Sequence, residues 1–163
     1  MPRRSAIATL ATLGAATLLL PSCGETAAPA SHFVLLDGST REMSSFLGQA
    51  VLLNFWATSC TSCVAEMPQL AATHQKFHAR GLHTLAVAMS YDKPEYVLNF
   101  ATSRRLPFLI AIDSSGTVAR EWGGVRLTPT TFLVSTTGHI ARRYVGPPDF
   151  AQLHQHIEQV LTA

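Results

Sequence analysis

The run Asn54-Phe55-Trp56-Ala57-Thr58-Ser59-Cys60-Thr61-Ser62-Cys63-Val64-Ala65-Glu66-Met67-Pro68 decides how the rest of the chain is read. It carries an apolar strand straight into a Cys-X-X-Cys pair and then into a helix. Two intervening residues let the first cysteine sit at a helix start and the second lie one turn in, close enough to close a disulfide. Unpaired N–H groups and the positive end of the helix dipole then face the first sulfur. Both stabilise a thiolate, and such sites lower a cysteine pKa from ~8.5 to roughly 3.5–7.5. The pattern predicts a dithiol/disulfide site with Cys60 as nucleophile and Cys63 as resolving thiol. An isolated Cys-X-X-Cys can also be half of a zinc site, but the only other cysteine, Cys23, lies in a segment of different character.

Working outward, Val51 to Trp56 is apolar on both faces apart from Asn54, which predicts a central strand covered on both sides. After the cysteines, Val64, Met67, Leu70, Ala71 and Phe77 recur at helical spacing up to about Arg80, where Gly81 supplies a stop. Pro68 falls inside that pattern and predicts a kink. Upstream, Phe33 to Leu36 reads as a first strand turned by Asp37-Gly38, and Met43 to Leu47 as a short helical or looping piece. Downstream, His83 to Ala88 reads as a strand and Asp92 followed by Pro94 as the start of a helix reaching about Ser103. Phe108 to Ile112 is a further strand, closed by the turn Asp113-Ser114-Ser115-Gly116. Thr130 to Val134 and His139 to Val145 flank Thr136-Thr137-Gly138 as a hairpin, and Asp149 caps a final amphipathic helix through Leu161.

The run Asn54 to Thr58, the Cys60/Cys63 pair, Glu66-Met67-Pro68 and the later Thr128-Pro129-Thr130-Thr131-Phe132-Leu133 together resemble the TlpA/ResA type of membrane-attached thioredoxin-like protein. The resemblance covers roughly residues 33 to 163. It implies an α/β fold, a mixed central sheet flanked by helices, with an inserted helix-and-strand unit between about Ser90 and Val118. It also implies a cis-proline at Pro129 facing the cysteines, with the backbone of Thr128 free to pair with an extended substrate segment and Trp56 beside the site. Proteins of this type commonly carry Trp immediately before the first cysteine, and here the residue is Ser59. Thioredoxin itself resembles this chain with a buried Asp where Asn54 stands, and an amide cannot titrate near neutral pH. Members of the ResA type are similar in having an acidic residue at the place of Glu66. Its spacing from Cys63 puts both on one helix face, within about 5–6 Å at Cβ. Partial burial against Trp56 and a nearby thiolate would raise its carboxyl pKa toward a working range. The plainer reading of Glu66 is a solvated acid of the first helical turns.

The first twenty-odd residues are different in kind. Arg3-Arg4 precede an Ala/Leu/Thr-rich apolar run from Ala6 to Leu20, too short for an ordinary spanning helix and typical of an export signal. Leu20-Pro21-Ser22-Cys23 resembles a bacterial lipobox, which implies that Cys23 is lipidated and becomes the first residue of the mature protein. Cleavage after Ala28-Pro29-Ala30 is the competing reading, and it discards Cys23. The organisation expected is therefore an export signal at 1–22, a lipid anchor and small, polar tether at 23–32, and one folded domain at 33–163. Without Arg3 and Arg4 the charges balance at 10 basic against 10 acidic residues, which argues against nucleic acid as a partner.

His74 and His78 lie four apart on the predicted helix and could share a metal, but solvated or packing histidines account for them as well. His154 and His156 are two apart and do not share a helix face. The resulting expectation is a periplasmic, lipid-anchored thiol–disulfide oxidoreductase with no cofactor beyond its own sulfurs. By resemblance it reduces disulfides of exported proteins, as in cytochrome c maturation or metal-site assembly, and a membrane electron donor re-reduces it. Copper handling by the same two thiolates is one alternative, wanting an extra His or Met near the site. Peroxide reduction is another, wanting a Thr/Arg environment around Cys60.

Overall fold

The computed structural model describes residues 26–163. The chain runs β1 (Thr26–Ala27), β2 (His32–Val34), β3 (Thr40–Glu42), a 3₁₀ turn at Met43–Phe46, β4 (Ala50–Trp56) and α1 (Thr61–Phe77). It continues through β5 (Leu82–Ala88), α2 (Pro94–Arg104), β6 (Leu109–Ile112), α3 (Thr117–Glu121), β7 (Thr130–Val134), β8 (His139–Val145) and α4 (Phe150–Thr162). One six-stranded sheet has the order β1-β8-β7-β4-β5-β6, and β2 and β3 form a separate hairpin. β4, β5 and β6 are mutually parallel, whereas β7 runs antiparallel to both β4 and β8. This is the mixed, thioredoxin-like sheet expected. The inserted unit is α2–β6, and β6 adds itself to the edge of β5.

All seven residues of β4 are buried because alternate side chains enter two different cores. Ala50, Leu52 and Trp56 face Met67, Leu70 and Phe77 of α1 and Leu153, Ile157 and Val160 of α4. Val51, Leu53 and Phe55 face Phe33, Phe46, Val118 and Trp122 on the other side. Helix α1 runs unbroken past Pro68, whose missing N–H leaves one intrahelical bond unmade. Gly81 takes φ 98° where the chain leaves the helix, a left-handed conformation that costs glycine little. Asp149 caps α4 as expected, its carboxylate accepting the Gln152 N–H at 2.9 Å.

Two expectations need correcting. Residues 26–32 belong to the fold rather than to a tether: Thr26 and Ala27 pair with Ile140 and His139 on the outer edge of β8, and the Ala28 N–H donates to the Gly138 carbonyl at 2.9 Å. Ser31 is buried and accepts the indole N–H of Trp122 at 3.0 Å, satisfying a polar atom inside the core. Asp92, expected to start α2, does not cap it. Lys93 occupies the N-cap position with Pro94 following, and the Asp92 carboxylate turns toward Thr58. Cys23 and the export signal lie outside the described residues. Among the described residues, no helix is long and apolar enough to cross a membrane.

Candidate active site

The C-terminal end of β4 aims the chain at the N-terminus of α1, and Cys60 occupies the N-cap of that helix. Cys60 and Cys63 are joined in a disulfide with Cα atoms 5.2 Å apart. Their environments differ: Cys60 is partly exposed, while Cys63 is fully buried among Trp56, Met67 and Leu70. The Cys63 backbone N–H points at the Cys60 sulfur from 3.2 Å. The Ser62 hydroxyl lies 3.5 Å from the same sulfur. After reduction both donors would stabilise negative charge on Cys60 and leave Cys63 without such help.

The Thr128–Pro129 peptide bond is cis, and the Thr128 carbonyl oxygen lies 3.5 Å from the Cys60 sulfur. Pro129 itself is buried, held where its carbonyl accepts the Gly146 N–H at 2.8 Å. Among the described residues the Thr128 N–H and C=O make no backbone hydrogen bond, so both remain available to an extended chain. Thr130 extends β7 beneath them, its hydroxyl donating to the Leu127 carbonyl at 2.7 Å.

Beneath the sulfurs is a polar group enclosed by core. Glu66 is 4% exposed, and its Oε1 accepts a hydrogen bond from the Asn54 amide at 2.9 Å. The same amide donates to Thr131 Oγ1, also at 2.9 Å, and Asn54 and Thr131 are directly opposite in the β4–β7 register. Glu66 Oε2 is buried and has no partner. Burial pushes the Glu66 carboxyl up to about 7, against the opposing pull of the Asn54 hydrogen bond. A groove of about 260 Å³ lined by Ser62, Gln69, Pro147 and Phe150 runs beside it.

Trp56 does not form part of a substrate surface. It is fully buried and packs against Phe100 at a ring-centroid distance of 5.2 Å, so it supports the floor under Cys63. Three contributors escaped the sequence reading. Ser62 was hidden as one of two variable residues between the cysteines. Thr131 becomes visible only once β4 and β7 are paired. Asp92 accepts hydrogen bonds from both the backbone N–H and the hydroxyl of Thr58, two residues before Cys60; its Asp-X-Pro spacing mimics a helix cap.

The four histidines singled out by their spacing sit in packed or hydrogen-bonded surroundings. His74 is buried with its ring stacked 4.6 Å from that of His78. His154 contacts Thr73 Oγ1 at 2.9 Å, and His156 contacts the Tyr144 hydroxyl at 2.6 Å. Among the described residues no three His, Cys, Asp or Glu side chains gather as a metal-binding group.

The Redoxin family profile matches residues 23–158. The chain belongs to the Redoxin family. Thiol-disulfide oxidoreductase ResA of Bacillus thuringiensis subsp. konkukian (strain 97-27) is 31% identical over 134 residues, covering 80% of this chain and 76% of its own length. The solution structure of a Neisseria meningitidis protein described as a thioredoxin superposes with a TM-score of 0.78 at 33% identity, covering 84% of this chain and 91% of that one. A Chlorobium tepidum protein described as thiol:disulfide interchange protein DsbE gives 0.77 at 28% identity, with 84% and 96% covered. This Redoxin member is a thiol–disulfide oxidoreductase of the ResA/DsbE type, and Cys60 and Cys63 are its cysteine pair.

Proposed function

We propose that the protein works outside the cytoplasm as a reductant of disulfides in exported proteins, held at a membrane through a lipidated Cys23 and re-reduced by a membrane electron donor. In each turnover the Cys60 thiolate attacks one sulfur of a substrate disulfide, and the other substrate sulfur leaves as a thiolate. The mixed disulfide lies along the Thr128 backbone. Cys63 then gives its proton to the Glu66 carboxylate and attacks the Cys60 sulfur, releasing the second substrate sulfur. Two electrons pass to the substrate and the Cys60–Cys63 disulfide returns.

The observation that carries this reading is the buried Glu66, with a carboxyl near 7, one turn from a fully buried Cys63. A thiol shut away from water needs a base of its own, and a carboxyl titrating near neutrality can take the proton and release it again. The position of β1 supports maturation at Cys23. A chain beginning there keeps β1, whose first residue is Thr26, whereas cleavage after Ala30 removes the strand. The direction of electron flow rests on the likeness to ResA.

Equilibration of the purified domain with thiol/disulfide buffers tests that direction. A reduction potential at or below about −200 mV, in the range of thioredoxin and the glutaredoxins, supports a reductant. A value near about −120 mV, as in the oxidant DsbA, reassigns the protein as a disulfide donor.

A further inference from the structure

The segment joining β5 to α2 approaches the site from a side that the cysteine motif does not reveal. Its Asp92 is buried and holds Thr58 by two hydrogen bonds, at 2.5 Å to the backbone N–H and 2.6 Å to the hydroxyl. That contact fixes the segment to the turn leading into Cys60. The preceding residue, Tyr91, is 61% exposed. Its hydroxyl nevertheless lies 3.5 Å from Thr128 Oγ1, and the carbonyl of the same Thr128 lies 3.5 Å from the Cys60 sulfur. Next to Thr128 in sequence is Leu127, itself 66% exposed. Tyr91 therefore stands in water at the rim where a substrate must cross, and exposed Leu127 joins that rim through the backbone of Thr128. Exposed Ser59, next to Cys60 in sequence, offers no comparable apolar surface.

We infer that Tyr91 and Leu127 form a specificity wall, which reads an apolar side chain flanking the cysteine of an extended substrate segment. This deepens the proposed reading and rests on protein or peptide disulfides being the substrates. The occupant follows from continuity with the reacting sulfur. A chain bonded to Cys60 and paired with the Thr128 backbone runs past the Tyr91 ring, and its side chains adjacent to the attacked cysteine meet that ring and Leu127. An apolar side chain laid on the aromatic face takes surface of both partners out of water, and such a contact is strong enough to shift selectivity. Asp92 is a positioning residue here: it holds Tyr91 in register with Cys60 through Thr58.

The test uses two peptides, each carrying one cysteine as its mixed disulfide with thionitrobenzoate, with either Leu or Ser on both sides of that cysteine. Attack of the Cys60 thiolate on the peptide sulfur releases the coloured thionitrobenzoate thiolate, and Cys63 then displaces the peptide thiol. The reduced wild type should favour the Leu peptide in kcat/KM by about two- to tenfold, the size expected when part of a leucine side chain leaves water. Tyr91→Ala should bring that ratio close to one by raising KM for the Leu peptide, while Tyr91→Phe should keep it. Leu127→Ala should lower it in part and serves as the second variant if Tyr91→Ala folds poorly. A wild type without preference, a ratio untouched by Tyr91→Ala, or a ratio lost in Tyr91→Phe overturns the inference. If the wild type reduces a small aromatic disulfide but neither peptide, the protein-substrate reading fails with it.

Discussion

The side-chain amide of Asn54 donates to Glu66 Oε1 across 2.9 Å of core, linking the strand that leads into Cys60 to the helix that carries Cys63. A donor aimed at a carboxylate favours its charged form, so this contact works against the burial that raises the group to about 7. Asn54→Leu keeps the branched shape, with somewhat larger methyl groups, and removes the donor. The Glu66 carboxyl should then rise further, and the pH midpoint of disulfide reduction should move upward with it. A variant with the wild-type midpoint would show that Asn54 does not tune the proton acceptor.

Glu66 also has a signature in stability. Its carboxyl titrates near 4.5 in the unfolded chain and at about 7 in the folded one. Between those values the folded state keeps a proton that the unfolded state has lost, so stability falls as pH rises through this window. The contribution is fully present below 4.5, gone above about 7, and worth up to about 3 kcal/mol. Urea unfolding of the disulfide form, whose cysteines do not titrate, should show this slope in the wild type and lose it in Glu66→Gln. The same variant should slow exchange on the order of 10²-fold and alter its pH dependence while keeping the fold. Reduction at the wild-type rate from pH 5 to 8 would instead send the Cys63 proton to water.

The asymmetry of the two sulfurs gives a third expectation. In the reduced protein, alkylation near neutral pH should label Cys60 first, since Cys63 is fully buried and only Cys60 receives the Cys63 N–H and the Ser62 hydroxyl. Ser62→Ala removes one donor and should raise the Cys60 thiol pKa by about half a unit, read from the pH dependence of alkylation. Preferential labelling of Cys63 would reverse the assigned roles.

What could be read from sequence follows the range of the interactions involved. The passage from β4 into α1 is local, written in an apolar run, a helix-start cysteine and a helical repeat, and it was legible to within a residue or two. The cis bond before Pro129 came through resemblance alone. The pairing of Asn54 with Glu66 needs β4 and α1 to pack, and the part played by Thr131 needs the β4–β7 register. Trp56, expected beside the site, is turned fully inward by its place on β4, which only the packed sheet shows. Residues 26–32 looked like linker because small polar residues and Pro29 give no periodicity. Only the buried indole of Trp122, far along the chain, shows why Ser31 must be there.

That last contact bears on where the mature chain begins. A protein starting at Ser31 loses β1 and its pairing with Ile140 and His139, together with the Ala28 N–H bond to the Gly138 carbonyl. It also places a new ammonium group on a buried residue, where the Ser31 N–H formerly donated to the Pro29 carbonyl at 2.8 Å. Each lost backbone bond costs about 0.5–1.5 kcal/mol, and burying charge adds to it. Residues 31–163 should therefore unfold about 2–4 kcal/mol more easily than residues 24–163 in urea. A start at Cys23 avoids this loss, because Gly24 and Glu25 still precede Thr26. Mass spectrometry of the mature protein from a lipoprotein-processing bacterium should then find a diacylglyceryl group on Cys23. Equal stability of the two fragments would remove the structural argument, and an unmodified mature chain beginning at Ser31 would exclude the anchor itself.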